Sequence, residues 1–438
     1  MPVEKFLLYA QPLTPRLRYI ASHMLTGILG CELLFTCNLS EAQSASLPLI
    51  NYSGSPLPGA VNIIPHSLLG EKTIRHQHIN PVKKEGVSLL FPSSGQDDTG
   101  FDVFAASFFM LSRYEEHLPF RKDKHGRFPY AESMVCRHSL EEEPLVDLWG
   151  LILKRAINRK YPFVSFPERE FSFIPTIDVD IPWAYRNRGW LRTAGGIARS
   201  VLRADIEDVR LRYRVLFRGD PDPYDTFDFI ETIHKDYGLS PLFFFSAGTY
   251  GLYDKCISSH HPDYRQLISD ISERNEWGIH PSYLSYDDPY LLRQEMENIA
   301  EITGEAPFRS RQHYLRFSFP NTCRILAANG ISDDYTVGWA EVPGFRAGTC
   351  TPFFYYDLER EEQSDLKLTP FQIMDGTLLD YLELSPESAV EHAVMMVKKV
   401  KDVRGTLVTL WHNESFSGVG RWNNWKNVYF EIIRESNG

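Results

Sequence analysis

The sequence has little of what announces a chemistry outright. Its six cysteines (Cys31, Cys37, Cys136, Cys256, Cys323 and Cys350) are scattered and form no CxxC pair. Free, reduced thiols are the expectation, and no zinc-thiolate site is expected. No stretch approaches the roughly eighteen apolar residues of a membrane span. The apolar run near the N-terminus stops at Gln11 and Pro12, too short for a secretory signal, so a cytoplasmic location is expected. Positive charge is in deficit: 46 Lys and Arg against 57 Asp and Glu give a net −11. That balance argues against a partner bound mainly through phosphates, whether nucleic acid or anionic membrane. No repeat at a period of about 20–50 residues is visible.

What is present is soluble, globular material. The 438 residues suffice for two or three domains with a buried core. Aromatics, at 13%, are frequent enough to fill a core or to line a sugar site as well.

The chain changes rhythm near "NRKYPFVSFPERE", which places a boundary at residue 165. Before it, "KFLLY", "CELLFTC" and "GVSLLFP" read as strands, while the segment opened by Thr14-Pro15, "FDVFAASFFMLSRYEEH" and "PLVDLWGLILKRAINRK" read as helices. Residues 1–165 are therefore expected to form a smaller α+β or α/β domain. Beyond it strand and helix alternate: "PLFFFSAG", "WGIH", "APFRSRQH", "ISDDY" and "TLVTLWHN" are strands, with amphipathic helices between them. Repeated strand–helix units imply right-handed crossovers and a parallel sheet, with a barrel over 166–438 as the leading candidate.

The polar residues fall where that rhythm makes them count. Asp178 and Asp180 close one strand, and His280, His313, the pair Asp333–Asp334 and His412 close four others. In an α/β barrel the chemistry comes from the C-terminal ends of different strands. Residues i and i+2 of a strand share a side, so Asp178 and Asp180 are neighbours, and like charges so close resist joint ionisation unless a cation lies beside them.

These residues resemble the metal-dependent polysaccharide deacetylases over roughly residues 170 to 435. "TIDVD" is similar to the family's Thr-Phe-Asp-Asp-Gly motif, "GIHPSYLS" to its His-x-x-x-His, and "FRSRQHYLRF" to its Arg-Pro-Pro-Tyr. "DDYTVGW" resembles the segment that orients the base and ends in a wall Trp, and "TLWHN" the motif that carries the catalytic His. The combination also looks like a bacterial subgroup with an uncharacterised N-terminal domain.

The resemblance implies a distorted (β/α)7 barrel and hydrolytic removal of acetyl groups from N- or O-acetylated sugars. It implies a divalent metal, zinc foremost, on Asp180, His280 and His313, with Asp178 as base and His412 as acid. Arg311 and Asp333 would orient the base. Trp183, Tyr185, Tyr283, Tyr314 and Trp339 are candidates for stacking on sugar rings. Two positions depart from the pattern: 179 is Val and 284, the place of the second motif histidine, is Leu. Asp180 and His313 stand in for them. A non-catalytic carbohydrate-binding or scaffold protein on the same barrel is the alternative. The expected partner is a carbohydrate, with no nucleic acid and no membrane span.

Overall fold

The computed structural model describes residues 4–93 and 95–438. The N-terminal part is built on a parallel sheet of β1 (Lys5–Ala10), β2 (Glu32–Thr36), β3 (Leu49–Tyr52) and β4 (Val61–Ile63), in the order β2-β1-β3-β4. A small antiparallel hairpin, β5 (Val82–Lys84) and β6 (Val87–Leu89), follows. Helix α1 (Pro15–Ser22) starts where Thr14 accepts the Leu17 N–H and proline takes the first helical position. The other helices here are α2 (Leu39–Ser44), α3 (Val103–Leu111), α4 (Met134–His138) and α5 (Leu145–Lys160). Every residue of α3 is buried, as its unbroken apolar run requires.

The remainder forms one curled nine-stranded sheet. Its strands are β7 (Ser172–Val179), β8 (Leu242–Ser246), β9 (Glu276–His280), β10 (Arg309–Ser310), β11 (Asp333–Asp334), β12 (Phe353–Asp357), β13 (Glu362–Leu368), β14 (Ile373–Met374) and β15 (Thr406–His412). The order is β12-β13-β11-β10-β9-β8-β7-β15-β14, parallel throughout except for the edge strand β12. Strand β8, "LFFFS", is wholly buried, the mark of a parallel strand covered on both faces.

Helices α6 (Gly189–Leu202) and α7 (Ile206–Arg218) leave the sheet directly after β7. They are followed by α8 (Phe227–Asp236), α9 (Pro262–Ser272), α10 (Pro289–Thr303), α11 (Asn321–Ala328), α12 (Pro386–Asp402) and α13 (Trp425–Asn437). The sequence rules hold at their ends: Asp288 caps α10 before Pro289, and Gly304 closes it at φ +82.

The structure departs from the expected (β/α)7 barrel in being open. The hairpin β12–β13 enters between β11 and β14, and three of the strands are only two residues long. Isolated backbone bonds, such as Phe371 N–H to the Val337 carbonyl at 3.0 Å, cross the seam instead of a ladder, while Gln372 N–H to the Val408 carbonyl extends the β14–β15 pairing on its far side. One apolar cluster runs from Phe6 to Ile433, so the two parts of the chain share a core. Among the described residues no helix is long and apolar enough to cross a membrane.

Candidate active site

Strand register builds the site. Asp178 on β7 pairs with His412 on β15, and Ser246 on β8 with His280 on β9. Asp180, just past β7, stands at the centre. Its Oδ1 is 3.1 Å from His280 Nε2, and its Oδ2 is 3.2 Å from His313 Nε2 and 3.7 Å from His412 Nε2. His280 Nε2 is also 3.9 Å from Asp178 Oδ2.

The far side of each imidazole is already committed. His280 Nδ1 lies 2.6 Å from the Arg311 carbonyl, and His313 Nδ1 lies 2.9 Å from Asp254 Oδ1. A ring that donates from Nδ1 presents an unprotonated Nε2 when neutral. Nε2 of His280 and Oδ1 of Asp180 then face each other as two acceptors, and Oδ1 is buried without a hydrogen-bond partner. One ligand atom from each of Asp180, His280 and His313 lies within 4.8 Å of the others. Two imidazole nitrogens and a carboxylate, with carbonyl and carboxylate partners behind the rings, are the donor set of a catalytic zinc-type site. The residues present therefore fit the metal that the resemblance implies.

Charge follows from this crowding. Burial works against the Asp180 carboxylate, but His313 and His280 hold its pKa well below the ordinary value. Burial likewise opposes the charged form of His313, yet Asp180 and Asp254 raise its pKa to about 9. For His412, burial is overcome by Asp375, which raises the pKa well above the ordinary value. Asp375 is buried behind that ring, 2.8 Å from Nδ1, and also takes the His412 N–H and the Ser415 hydroxyl. Glu414, on the cavity wall, is pushed up to about 7 by burial against the opposing pull of His412.

These groups open onto a cavity of about 620 Å³. Its wall includes Tyr224, Tyr253, Tyr314, Tyr381 and Trp422, and also Lys124, His125 and Arg127 from the N-terminal part. Gln312, on the same wall, has both side-chain amide atoms buried without partners. Arg127 Nη1 donates to the Tyr314 carbonyl at 2.8 Å, and Arg316 Nε to the His125 carbonyl at 2.8 Å. Tyr314 and Leu315 both adopt left-handed φ, +57 and +53, a conformation that costs non-glycine residues about 1–3 kcal/mol each. Arg127 fixes the turn that follows His313.

The structure thus brings together Asp178, Asp180, His280, His313 and His412. Arg311, fully buried, donates from Nη1 to Asp178 Oδ1 at 3.0 Å and so lies behind the carboxylate. Asp333 is elsewhere, bound to Lys367 at 2.7 Å and to the Thr369 hydroxyl at 2.9 Å; its role in orienting the base is not supported. The second residue of that pair, Asp334, accepts from Ser310 and Thr336, and burial raises its pKa to about 6.

Of the five aromatic candidates, Tyr314 lines the cavity. Tyr283 is buried behind it, stacked on Tyr253 at 4.0 Å. Trp183 bonds Asp225, Tyr185 bonds Asp208, and Trp339 packs under Arg113 and Arg346; none of the three is on the wall. Leu284 is 63% exposed, so the position of the second motif histidine has left the site.

Sequence reasoning missed Asp254 and Asp375. Asp254 lies in a loop between β8 and α9, and Asp375 follows the two-residue β14. Only the dipeptide "MD" before Gly376, at the end of a short apolar run, could have pointed to the second.

Residues 6–162 match a family model described as a family of unknown function, DUF7033. No curated protein matches the chain. Among solved structures, a protein from Mycobacterium smegmatis assigned to the polysaccharide deacetylases is 16% identical (TM-score 0.39), the match covering 62% of this chain and 86% of that one. A polysaccharide deacetylase from Bacillus cereus is 12% identical (TM-score 0.30), covering 61% and 87%. A CE4-family pseudoenzyme from Bacillus anthracis is 11% identical (TM-score 0.30), covering 61% and 62%. All three likenesses are distant.

Proposed function

We propose that the chain is a metal-dependent hydrolase that removes an acetyl group from an N-acetylated or O-acetylated sugar or glycan precursor. The observation that carries this is the convergence of two Nδ1-anchored imidazoles and the orphaned oxygen of Asp180 beside a separate carboxylate and a separate histidine. Asp180, His280 and His313 would hold the ion. Bound there, a divalent cation supplies Lewis-acid polarisation of the acetyl carbonyl and eases ionisation of water.

The chain's own groups do the rest. Asp178, oriented by Arg311, accepts the proton of the attacking water. His412 Nε2 donates a proton to the leaving nitrogen or oxygen as the acyl bond breaks, and acetate and the free amine or alcohol depart. Asp375 keeps His412 in the protonated form that this step needs. Gln312 and Glu414 offer the cavity polar atoms suited to hydroxyl and amide groups, and Tyr314 offers a ring face to a sugar. Zinc is the first candidate because its usual ligands are nitrogen and carboxylate oxygen.

A deacetylation screen over N- and O-acetylated sugars, with zinc, cobalt or nickel supplied, tests the reading. Stoichiometric metal with no turnover on any acetylated sugar favours the carbohydrate-binding alternative. Protein that takes up no metal overturns the proposal.

A further inference from the structure

Helices α6 and α7 are folded the wrong way round for an ordinary surface element. A surface helix buries its apolar stripe and exposes its charges. In α6, Trp190, Leu191, Val201 and Leu202 lie on one side at helical spacing, and that side faces solvent: Trp190 is 77% and Leu202 88% exposed. The opposite side is the packed one. Ser200 donates to Asp208 on α7, and Gly196 lies so close to Arg212 that an added Cβ would sit 2.7 Å from its Nη1. On α7, Ile206, Tyr213 and Phe217 form a second exposed apolar stripe, Phe217 at 71%. Tyr185 anchors the base of the hairpin through Asp208 and the overlying Arg212.

Charge is segregated here too. Residues 186–218 carry nine arginines against three carboxylates, a local net of +6 in a chain of net −11, although Arg212 is buried against Asp208 and Arg214 pairs with Asp220 just beyond the helix. Arg210, Arg214 and Arg218 flank or interrupt the α7 stripe. The whole-chain balance, which argued against an anionic membrane, conceals this patch.

We propose that the α6–α7 hairpin docks the protein on the surface of an anionic phospholipid bilayer. Amphipathic helices with arginines beside exposed Trp, Leu and Phe bind the headgroup–acyl boundary, where apolar burial and attraction to anionic lipid add together. Trp and Tyr favour that interface. A second copy of the chain fits less well, because an isologous contact sets the same arginines against each other. Nucleic acid has no use for the apolar ridge. The patch also reaches the cavity: Arg192 lies over Tyr250 at 4.4 Å, and Lys255, on the cavity wall, approaches the same ring at 5.0 Å.

The test is co-sedimentation of the full chain with vesicles of phosphatidylglycerol and phosphatidylcholine, against phosphatidylcholine alone, at low and high salt. Binding to the anionic vesicles, weakened by salt, is expected. A triple Leu191→Ser, Leu202→Ser, Phe217→Ser variant and a triple Arg210→Glu, Arg214→Glu, Arg218→Glu variant should each bind more than about tenfold more weakly. None of the six positions lines the cavity, and circular dichroism checks that both variants remain folded. No binding to anionic vesicles, or equal binding by both folded variants, overturns the proposal. So does a dimer dissolved by the apolar variant in protein that ignores vesicles. None of these readouts depends on metal or turnover.

Discussion

Replacing Asp375 by Asn keeps the shape of the pocket behind His412 and removes its charge. In the native protein Asp375 accepts from the His412 ring, the His412 N–H and the Ser415 hydroxyl. Asn retains one acceptor oxygen, so the fold survives. The raised pKa of His412 has three sources of negative charge: Asp375 first, then Asp180 and Glu414. When a cation is bound, Asp180's share is cancelled and Asp375 carries most of the effect, with Glu414 the minor remainder. A hydrogen bond to a charged group contributes about 1.5–3 kcal/mol, which is about one to two pKa units.

The sign is set by the role. A raised pKa keeps the imidazolium as pH rises, so the native alkaline limb of the rate is displaced upward. In Asp375→Asn that limb moves down by about one to two units, and turnover on its alkaline side falls about 10–100-fold. The stabilisation follows the same sign: it is full below the ordinary imidazole pKa of about 6.5 and is lost as pH rises through the folded value. The variant flattens that dependence. NMR titration of the His412 ring and a pH–rate profile measure the two effects. An unchanged ring titration in the folded variant would falsify the assignment of Asp375 as the group that holds the proton on His412.

Four further outcomes are expected. Asp180→Asn loses metal and activity together, whereas Asp178→Asn and His412→Ala keep the metal and lose turnover by roughly 10²–10⁴-fold; metal stoichiometry beside rate separates them, and reversed metal loss would exchange the roles of the two aspartates. Asp254→Ala frees the His313 ring and weakens metal affinity about 10–100-fold, read by competition with a chelator; unchanged affinity removes Asp254 from the site. Arg127→Ala releases the Tyr314 carbonyl and lowers stability by about 1–3 kcal/mol, seen in urea melts, with weaker metal binding as the sign that His313 has moved. A fragment starting at residue 166 fails to fold, because the shared core is cut; a soluble fragment with native-like circular dichroism and bound metal would show that the sheet is independent.

Much of the site could be read because strand ends are where alternation stops. "TIDVD" runs from its strand into two aspartates, and "WGIH" and "TLVTLWH" each into a histidine, and the sheet brings those ends together. Aromatic placement could not be read in the same way. Trp183 lies between Pro182 and Ala184, Trp339 between Gly338 and Ala340, and Tyr314 between His313 and Leu315. Such contexts do not say which ring faces a cavity, and only the folded chain shows that Trp183, Tyr185 and Trp339 are packed and Tyr314 faces it. The α6–α7 hairpin escaped the strand–helix rhythm because arginines recur through it, and an apolar stripe gives no sign of which way it will face. The two domains expected on either side of residue 165 proved to share polar contacts as well as a core. Glu116 bridges Arg113 and Arg346, and Asp147 accepts from Thr349, Thr351 and the Cys350 N–H. Contacts more than 200 residues apart in the chain leave no periodic trace in sequence.

The grip of Arg127 on the turn after His313 also has a consequence for the order in which the protein is made. Synthesis proceeds from the N-terminus at about 5–20 residues per second, so residues 123–127 leave the ribosome well before residues 313–316. The strained turn after His313 therefore emerges into the presence of its own restraint. A transposed gene, with the sheet encoded first, would give that turn nothing to close against until the end of translation.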